Sequence, residues 1–389
     1  MRRAVLLILV LCLAAVVLLQ MFKRDPAQDD SSYSVSSVMR GSKNDSFRRV
    51  IQAREFEFPR DHGMHGDYRT EWWYFTGNLQ DKVGRAFGYQ LTFFRLALVN
   101  EGDERLSEWH SEHVFMAHFA ITDIKGKKFH GFERFNRGAA GLAGASQDSM
   151  HVWLDNWSAR SSTGREFPLQ LKASSGDISL ELKLQQGKAM VLQGDAGLSQ
   201  KNSVPGNASY YYSFTRMPSS GTVTIAGQRF DVRGLSWMDR EWSSSALDQD
   251  QIGWDWFSLQ LDNNSELMLY RFRRKDGSRD PFSYGVYVPD DESAVKLGAD
   301  DFQITTNNTW RSKSSEALYP VGWAIEVPRL GITLTVDAAI ENQEWNRSFR
   351  YWEGAVTFSG DSEGTPVKGT GYVEMTGYSE NLNEAGGRF

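Results

Sequence analysis

The sequence predicts an all-β protein with two related halves. From residue 51 onward, apolar and polar residues alternate in short runs, and Gly, Asn, Asp and Ser separate the runs. No long amphipathic helix pattern competes with this alternation. Two tryptophan-rich segments, EWWYF at 71–75 and GWDWF at 253–257, begin similar hairpins in the two halves. Many short strands with such turns indicate a β-sandwich or β-barrel.

Composition limits the kind of partner. The chain has 389 residues, which is enough for two domains that each bury a core. Its net charge is −6 and it has no long basic run, so we expect no nucleic-acid partner. The aromatic share of 13% indicates either large β-domain cores or a cavity for an apolar ligand.

Residues 1–24 are predicted to be a signal peptide or signal anchor. Arg2 and Arg3 precede an apolar run over 4–19, and Lys23 follows soon after it. The absence of a small-x-small cleavage pattern before Lys23 favours an anchor in the inner membrane. The basic N-terminus predicts a periplasmic location for the remainder. The sole cysteine, Cys12, lies inside the apolar run, and residues 25–50 are predicted to be a flexible Ser-rich linker.

The strands follow in order from residue 71. Leu79 ends the first strand and Phe87 begins the second, with turn residues between them. Further strands are expected at 114–123, 150–157, 167–173, 178–185, 210–216 and 221–232 in the first half. In the second half they are expected at 254–261, 266–273, 283–288, 325–327, 332–338, 352–358 and 371–376.

The first tryptophan-rich hairpin predicts a buried ion pair. If Phe75 lies opposite Leu91, then Glu71 lies opposite Arg95 on the same face of the sheet. Buried pairs of this kind are mostly architectural, so we interpret Glu71 and Arg95 as a structural ion pair.

The second hairpin predicts a carboxyl group among aromatic side chains. A two-residue turn at 263–264 would pair Asp255 with Phe272 and place Tyr270 diagonal to the carboxyl. Burial there would raise the pKa of Asp255, which would suit a general acid. The alternative is a carboxylate satisfied by the Tyr270 hydroxyl or by Arg273.

Segment 236–243 (SWMDREWS) is the most polar of the aromatic motifs. Its candidates for ligand contact or catalysis are Trp237, Asp239, Arg240, Glu241 and Trp242. They could clamp a ligand or stabilise developing charge, or they could form an ion-pair corner between the two halves.

Histidine placement argues against several site types. All seven histidines fall between 62 and 151, which excludes a Ser-His-Asp triad within the second half. His113 and His118 would point to opposite faces of one strand, so we expect no metal site, while His118 remains a candidate for lining a cavity. No phosphate loop or dinucleotide fingerprint is present, and we expect no cofactor.

Several motifs together resemble the AttH-like proteins. These motifs are EWWYF at 71–75, GYQLTFFR at 88–95, HFAITD at 118–123, WMDREW at 237–242, GWDWF at 253–257, YWEG at 351–354 and GYVEMTG at 371–377. The resemblance implies two lipocalin-like β-barrels, which we place at 51–245 and 246–389. It also implies export and association with the permease of an ABC transporter.

The carotenoid 1,2-hydratases are similar, more distant relatives of that family. They add water to an isoprenoid double bond without a cofactor, using an acid to protonate the alkene. The resemblance suggests Asp255 or Asp239 as the acid here, with Tyr270 and Trp254 or Trp256 around the reacting carbon. Here Met238 and Arg240 stand where that branch is richer in histidine.

Two functions therefore compete at this point. The first is a membrane-tethered protein that binds a lipid or isoprenoid beside an ABC exporter, with Trp73 and His118 also contacting the ligand. The second is a cofactor-independent hydro-lyase of the carotenoid hydratase type. A structural scaffold for the transporter, with no cavity, is a third.

Overall fold

The structure is a computed structural model that describes residues 47–98, 111–164, 166–244, 247 and 250–378. The proposed signal segment and almost all of the proposed linker lie outside these ranges. No helix among the described residues is long and apolar enough to cross a membrane.

Thirteen antiparallel strands form the first sheet. They are β1 Thr70–Asp81, β2 Ala86–Ala97, β3 His113–Asp123, β4 Lys128–Arg137, β5 Ala143–Ala145, β6 His151–Leu154, β7 Trp157–Ser161, β8 Leu169–Ser175, β9 Ile178–Leu184, β10 Val191–Leu192, β11 Leu198–Gln200, β12 Ala208–Ile225 and β13 Gln228–Ser243. The strand order is β4-β3-β2-β1-β13-β12-β9-β8-β7-β6-β5, with β10 and β11 paired to β12.

The remaining strands form a second sheet. They are β14 Gln251–Leu261, β15 Glu266–Arg274, β16 Tyr284–Val288, β17 Val295–Gly298, β18 Gln303–Arg311, β19 Leu318–Val327, β20 Ile332–Ala338, β21 Glu344–Asn346, β22 Arg350–Ser362 and β23 Thr365–Thr376. Their order is β17-β16-β15-β14-β23-β22-β20-β19-β18, with β21 paired to β22. Arg60–His62 and Pro328–Leu330 are short 3-10 turns.

The all-β prediction and the tandem lipocalin-like architecture are confirmed. One sheet curls into a near-complete barrel and the other into a half barrel. The chain passes from one sheet to the other between Ser243 and Gln251, the interval that contains the predicted domain boundary.

Two predicted strands are hairpins in the structure. The 150–157 run turns at Asp155, whose φ is +52°, and the 221–232 run turns at Ala226, whose φ is +51°. Neither turn contains a proline, but the buried positions change phase at each one, from Leu154 to Trp157 and from Ile225 to Phe230, so the pattern did contain a signal of the turns. The strand β4 lies outside the predicted runs because its residues are mostly half-buried without clear alternation.

Each sheet surrounds its own apolar core, and a third cluster fills the space between the sheets. The first core contains Trp73, Phe75 and Trp242, and the second contains Phe257 and Trp323. The cluster between the sheets takes aromatic residues from both: Tyr74, Tyr211, Trp237, Trp254, Trp256, Tyr270, Phe272 and Tyr372. Alternation along a strand therefore supplies one core with every second residue and the intersheet cluster with the others.

The predicted pairing of the first hairpin is the observed one. Phe75 lies opposite Leu91 and Glu71 opposite Arg95. Arg95 donates a short hydrogen bond to the Glu71 carboxylate, and so does Arg240 from β13. These two cations hold the pKa of Glu71 well below its ordinary value, although full burial acts to raise it. The pair is thus part of a three-charge network that joins β1, β2 and β13.

Candidate functional site

A cavity lies between the outer faces of the two sheets. Its free volume is about 50 Å³, which is room for a few water molecules. The first sheet contributes Trp72, Tyr74, Gln90, Phe94, Tyr211, Asp239 and Glu241 to its wall. The second sheet contributes Trp254, Trp256, Tyr270, Tyr351 and Glu374. The lining is thus mostly aromatic, with three carboxyl groups among the rings.

Strand alternation decides which residues of segment 236–243 reach this cavity. Asp239 and Glu241 line it, and Trp237 joins the intersheet cluster beside them. Arg240 and Trp242 lie on the opposite face of β13, inside the first barrel. The segment therefore forms part of the cavity wall and part of a buried ion network. That network joins strands of the first sheet, so it is not the predicted ion-pair corner between the two halves.

Asp239 is held in a pocket of hydrogen-bond donors. Tyr211 Oη lies 2.6 Å from Asp239 Oδ2, while Ser213 Oγ and Trp237 Nε1 lie 2.5 and 2.7 Å from Oδ1. Trp256 Nε1 donates in turn to Tyr211 Oη at 3.2 Å. Burial raises the pKa of Asp239 to about 7, and the three donors limit that rise. The carboxyl group therefore exchanges its proton near neutral pH.

Two further buried carboxyl groups stand side by side on the second sheet. Glu353 lies directly opposite Glu374 across β22 and β23. Burial raises the pKa of Glu374 to about 8, and burial together with the neighbouring Glu374 raises the pKa of Glu353 well above its ordinary value. Glu353 accepts a hydrogen bond of 2.6 Å from Tyr74 Oη, while Trp254 hydrogen-bonds to Glu374. Both groups are therefore neutral at pH 7.

Glu241 differs from these acids because it has a cation. Lys201 Nζ lies 2.7 Å from Glu241 Oε1, and Ser209 donates a short hydrogen bond to the same oxygen. The ammonium group also sits 4.5 Å above the centre of the Tyr270 ring. Glu241 is therefore the wall carboxyl that contacts a lysine, in contrast to Asp239 and Glu374.

The predicted pairing of the second hairpin was wrong by one residue. Asp255 lies opposite Arg271, and Tyr270 lies opposite Trp256. The turn has three residues because Ser265 accepts the hydrogen bond from Leu261 N and Asn264 adopts a φ of +61°. A shift of one residue changes which side chains share a face. Tyr270 therefore shares a face with Trp254 and Trp256, and not with Asp255.

Asp255 lies away from the cavity and has two cationic partners, of which the wrong pairing concealed Arg271. Arg271 Nη2 lies 2.5 Å from its carboxylate and Arg273 Nε 3.2 Å from it, and Tyr378 Oη donates at 3.0 Å. Of the two alternative partners that the sequence offered for this carboxylate, Arg273 contacts it and Tyr270 does not. This geometry favours a structural role for Asp255 over the catalytic one predicted for it.

Of the other predicted ligand contacts, Trp254 and Trp256 line the cavity, whereas Trp73, Arg240 and Trp242 do not. These three pack inside the first barrel, where Arg240 lies 3.9 Å from the centre of the Trp73 ring. His118 is fully buried one layer behind the wall. It contacts the cavity through Tyr351, whose hydroxyl lies 2.6 Å from His118 Nδ1.

Sequence reasoning missed six polar groups that lie in the wall or next to it. They are Tyr74, Gln90, Tyr211, Tyr351, Glu353 and Glu374. Three of them lie in the YWEG and GYVEMTG motifs, so the signal was present. The motifs did not reveal which residues face the other sheet. Among the described residues, no group of three His, Cys, Asp or Glu side chains is arranged to hold a metal ion.

Asp255→Asn should lower the stability of the fold and should not change turnover in a catalytic assay. Removing the carboxylate leaves Arg271 and Arg273 without their anion, which we expect to lower the free energy of unfolding by about 3 kcal/mol. Urea unfolding would measure that loss, and any catalytic assay should give turnover close to the wild type. The control is Asp231→Asn, an exposed position on β13. A large loss of turnover with unchanged stability would restore Asp255 as a candidate acid.

The chain matches known proteins over nearly all of its described length. A family model described as AttH-like matches residues 49–378. A crystal structure from Nitrosomonas europaea that carries the name AttH superposes with a TM-score of 0.76 at 32% identity, covering 85% of this chain and 100% of that one.

Two fungal proteins are more distant. The crystal structure of kievitone hydratase from Nectria haematococca has a TM-score of 0.65 at 15% identity and covers 87% of this chain and 98% of its own. That likeness shows a shared fold. The dehydratase asqC of Emericella nidulans is 21% identical over 271 residues, which are 66% of this chain and 75% of that protein.

Proposed function

Since the chain belongs to the AttH-like family, and relatives of its fold and sequence are named hydratase and dehydratase, we propose that it is a cofactor-independent hydro-lyase. It would add water to a carbon–carbon double bond of an apolar substrate, or form such a double bond by removing water from an alcohol. The observation that carries this proposal is Asp239, a carboxyl group that titrates near pH 7 on the wall of an aromatic cavity. An isoprenoid of the carotenoid type is one substrate class that the lining suits.

In the first step, Asp239 donates the proton. Its proton passes to one carbon of the double bond, the π electrons form the new C–H bond, and the other carbon becomes cationic. Tyr211, Ser213 and Trp237 already donate to Asp239, so they stabilise the carboxylate that is left behind. An acid whose pKa lies near the working pH is the efficient choice for this transfer.

The wall then stabilises the cationic carbon until water attacks it. Indole faces attract cations, and Trp72, Trp254 and Trp256 place three indoles around the cavity. Neutral Glu374 adds no fixed charge that would capture the cation. Water forms the C–O bond and loses one proton. The Asp239 carboxylate regains a proton by way of solvent, which completes the addition. Dehydration is the same path in reverse.

The size of the cavity constrains how a substrate enters. Ligand pockets commonly have about 300–1,000 Å³ of space, far above the volume between the sheets. We therefore infer that aromatic wall residues move outward on binding, so that the apolar ligand replaces the contacts they lose. Quenching of tryptophan fluorescence on substrate addition would measure this movement.

Incubation with a small panel of alkenes tests the hydro-lyase function. The full chain is mixed with lycopene, neurosporene and kievitone in isotopically labelled water, and products are analysed by mass spectrometry. Gain of one labelled water by any of them, lost in Asp239→Asn and retained in Asp231→Asn, supports the proposal. If the wild type and Asp239→Asn are equally inert toward all three, the proposal fails.

Binding without chemistry is the second candidate, and the aromatic lining is what favours it. In that case the protein would carry a lipid or isoprenoid beside an ABC transporter permease, tethered to the inner membrane by residues 1–24. Native mass spectrometry of protein purified from its host tests ligand carriage, and co-purification of the permease tests the partner. A clean ligand-free mass with no lipid uptake would reject the carrier.

A further inference from the structure

A buried chain of three side chains leads from the cavity wall toward the surface. Tyr351 lines the cavity from β22, His118 lies behind it on β3, and Glu133 follows on β4. Tyr351 Oη is 2.6 Å from His118 Nδ1, and His118 Nε2 is 3.3 Å from Glu133 Oε2. The chain crosses from the second sheet to the first, and only its last member reaches solvent.

The arrangement fixes the position of each group. His118 lies directly opposite Glu133 in the β3–β4 pair. Trp345 stacks on the imidazole with ring centres 4.3 Å apart, and Ser348 N lies 3.3 Å from Glu133 Oε1. Neither His118 Nε2 nor Glu133 Oε2 meets hydrogen-bond geometry with a group in the described part of the chain. Their mutual contact at 3.3 Å is a close electrostatic approach of the ring nitrogen to the carboxylate oxygen.

These contacts determine the direction of the hydrogen bonds. Burial lowers the pKa of His118, so the ring is neutral at pH 7 and carries one proton. Burial acts to raise the pKa of Glu133, but contacts with His118 and Ser348 bring it below its ordinary value, so this group is a carboxylate. A carboxylate can only accept, which places the ring proton on Nε2. His118 Nδ1 then accepts the phenolic proton of Tyr351.

The Tyr351 oxygen consequently keeps acceptor capacity on its cavity side. Gln90, another wall residue, donates to it at 3.2 Å. A hydroxyl whose proton already points at a histidine can take a second proton from a neighbouring molecule while passing on its own. This is the relationship of an activated nucleophile or base to an oriented histidine and a carboxylate.

We propose that Tyr351 is a second catalytic residue of the cavity, the base that deprotonates the attacking water, with His118 and Glu133 as positioning residues behind it. This inference rests on the proposed hydro-lyase function. As the water oxygen bonds to the cationic carbon, one water proton moves to Tyr351 Oη and the phenolic proton moves to His118 Nδ1. The resulting imidazolium faces the Glu133 carboxylate. Its proton returns through solvent to the Asp239 carboxylate, so the catalytic groups are restored.

The hydrogen-bond directions can be tested without a substrate. Heteronuclear NMR of the histidine ring nitrogens of the full chain should show His118 neutral and protonated on Nε2, with the signal assigned from His118→Asn. In Tyr351→Phe the Nδ1 resonance should shift because its hydrogen bond is lost. Tyr319→Phe is the control, since Tyr319 is a buried tyrosine bonded to a glutamate outside the cavity. A His118 protonated on Nδ1, or charged at pH 7, would overturn the relay.

Kinetics test whether the chain is used. With whichever panel alkene the wild type hydrates, Tyr351→Phe should lower kcat by about a hundredfold with KM little changed. His118→Asn should match it, and Glu133→Gln should cause a smaller loss. Tyr319→Phe and His151→Asn should behave as the wild type. Retention of kcat in Tyr351→Phe rejects the base assignment while the function stands.

Failure of the proposed hydro-lyase function can be distinguished from failure of the Tyr351 assignment. If the wild type hydrates none of the alkenes, the proposed function fails, and NMR alone then decides on the hydrogen-bonded chain. If Tyr351→Phe does not fold, His118→Asn and Glu133→Gln still decide, because a purely structural role would change stability without changing kcat.

Discussion

Asp239→Asn is expected to lower kcat for addition of water to the alkene by about a thousandfold while leaving the fold intact. The amide has the shape of the neutral acid, and its oxygen can still accept from Ser213 and Trp237. It cannot give a proton to an alkene carbon. The measurement is kcat on the alkene that the wild type hydrates, with circular dichroism to confirm the fold.

The same variant should alter how stability depends on pH. The pKa of Asp239 rises from an ordinary 3.8 to about 7 on folding, so the folded chain binds the extra proton between these values. Stability therefore falls as the pH rises through that window and levels off above it. Asparagine remains neutral throughout, so the variant should exceed the wild type at pH 8 by about 4 kcal/mol and equal it at pH 4.

The control for both effects is Asp231→Asn, which removes an exposed carboxylate from the same strand. It should change neither kcat nor the pH profile of unfolding. Equal stabilities of Asp239→Asn and wild type at pH 8 would mean that Asp239 is ionised at no cost, and that its role as an acid is misassigned.

Among the substitutions proposed, Glu71→Gln should cause the largest loss in the free energy of unfolding. It leaves the buried cations Arg95 and Arg240 without their anion, and breaking such a network costs about 3–5 kcal/mol. Urea unfolding at neutral pH measures this loss. The matched control is Glu181→Gln on a surface pair with Lys172, where both side chains are more than half exposed; its expected effect is below about 1 kcal/mol.

The contribution of Glu71 to stability depends on pH in the opposite direction to that of Asp239. The pKa of Glu71 is depressed in the fold, so its contribution is present above the ordinary value of 4.5 and is lost as the pH falls toward the lower, folded value. The stability gap between the wild type and Glu71→Gln should therefore narrow in acid. A gap that stays constant down to acid unfolding would contradict the charged state of Glu71.

Sequence patterns predict contacts between residues that are close in the chain better than contacts between distant strands. Glu71 was placed opposite Arg95 correctly because the pairing assumed for the first hairpin, Phe75 with Leu91, is the observed one. Asp255 was misplaced because a loop of three residues and a loop of two both fit the sequence DNNS. Asp239 was found in its motif, but its donors Tyr211 and Ser213 come from a neighbouring strand that no periodicity identifies.

The cavity itself depends on how two sheets pack, which local sequence patterns do not encode. Glu374 stood in a recognised motif, but its significance depends on Trp254 and on the opposite sheet. The pairing of Tyr351 with His118 links positions 233 residues apart in the chain. Such contacts follow from tertiary packing alone.

The position of the cavity outside both barrels has a consequence for how this architecture can diversify. Each wall residue sits on the outer face of a sheet whose inner face has its own filled core. Wall residues can therefore be substituted without repacking either core. A change in ligand specificity should then cost less stability than it usually does. A library that varies Trp72, Phe94 and Trp254 together should thus yield a high fraction of folded proteins with altered ligand preference.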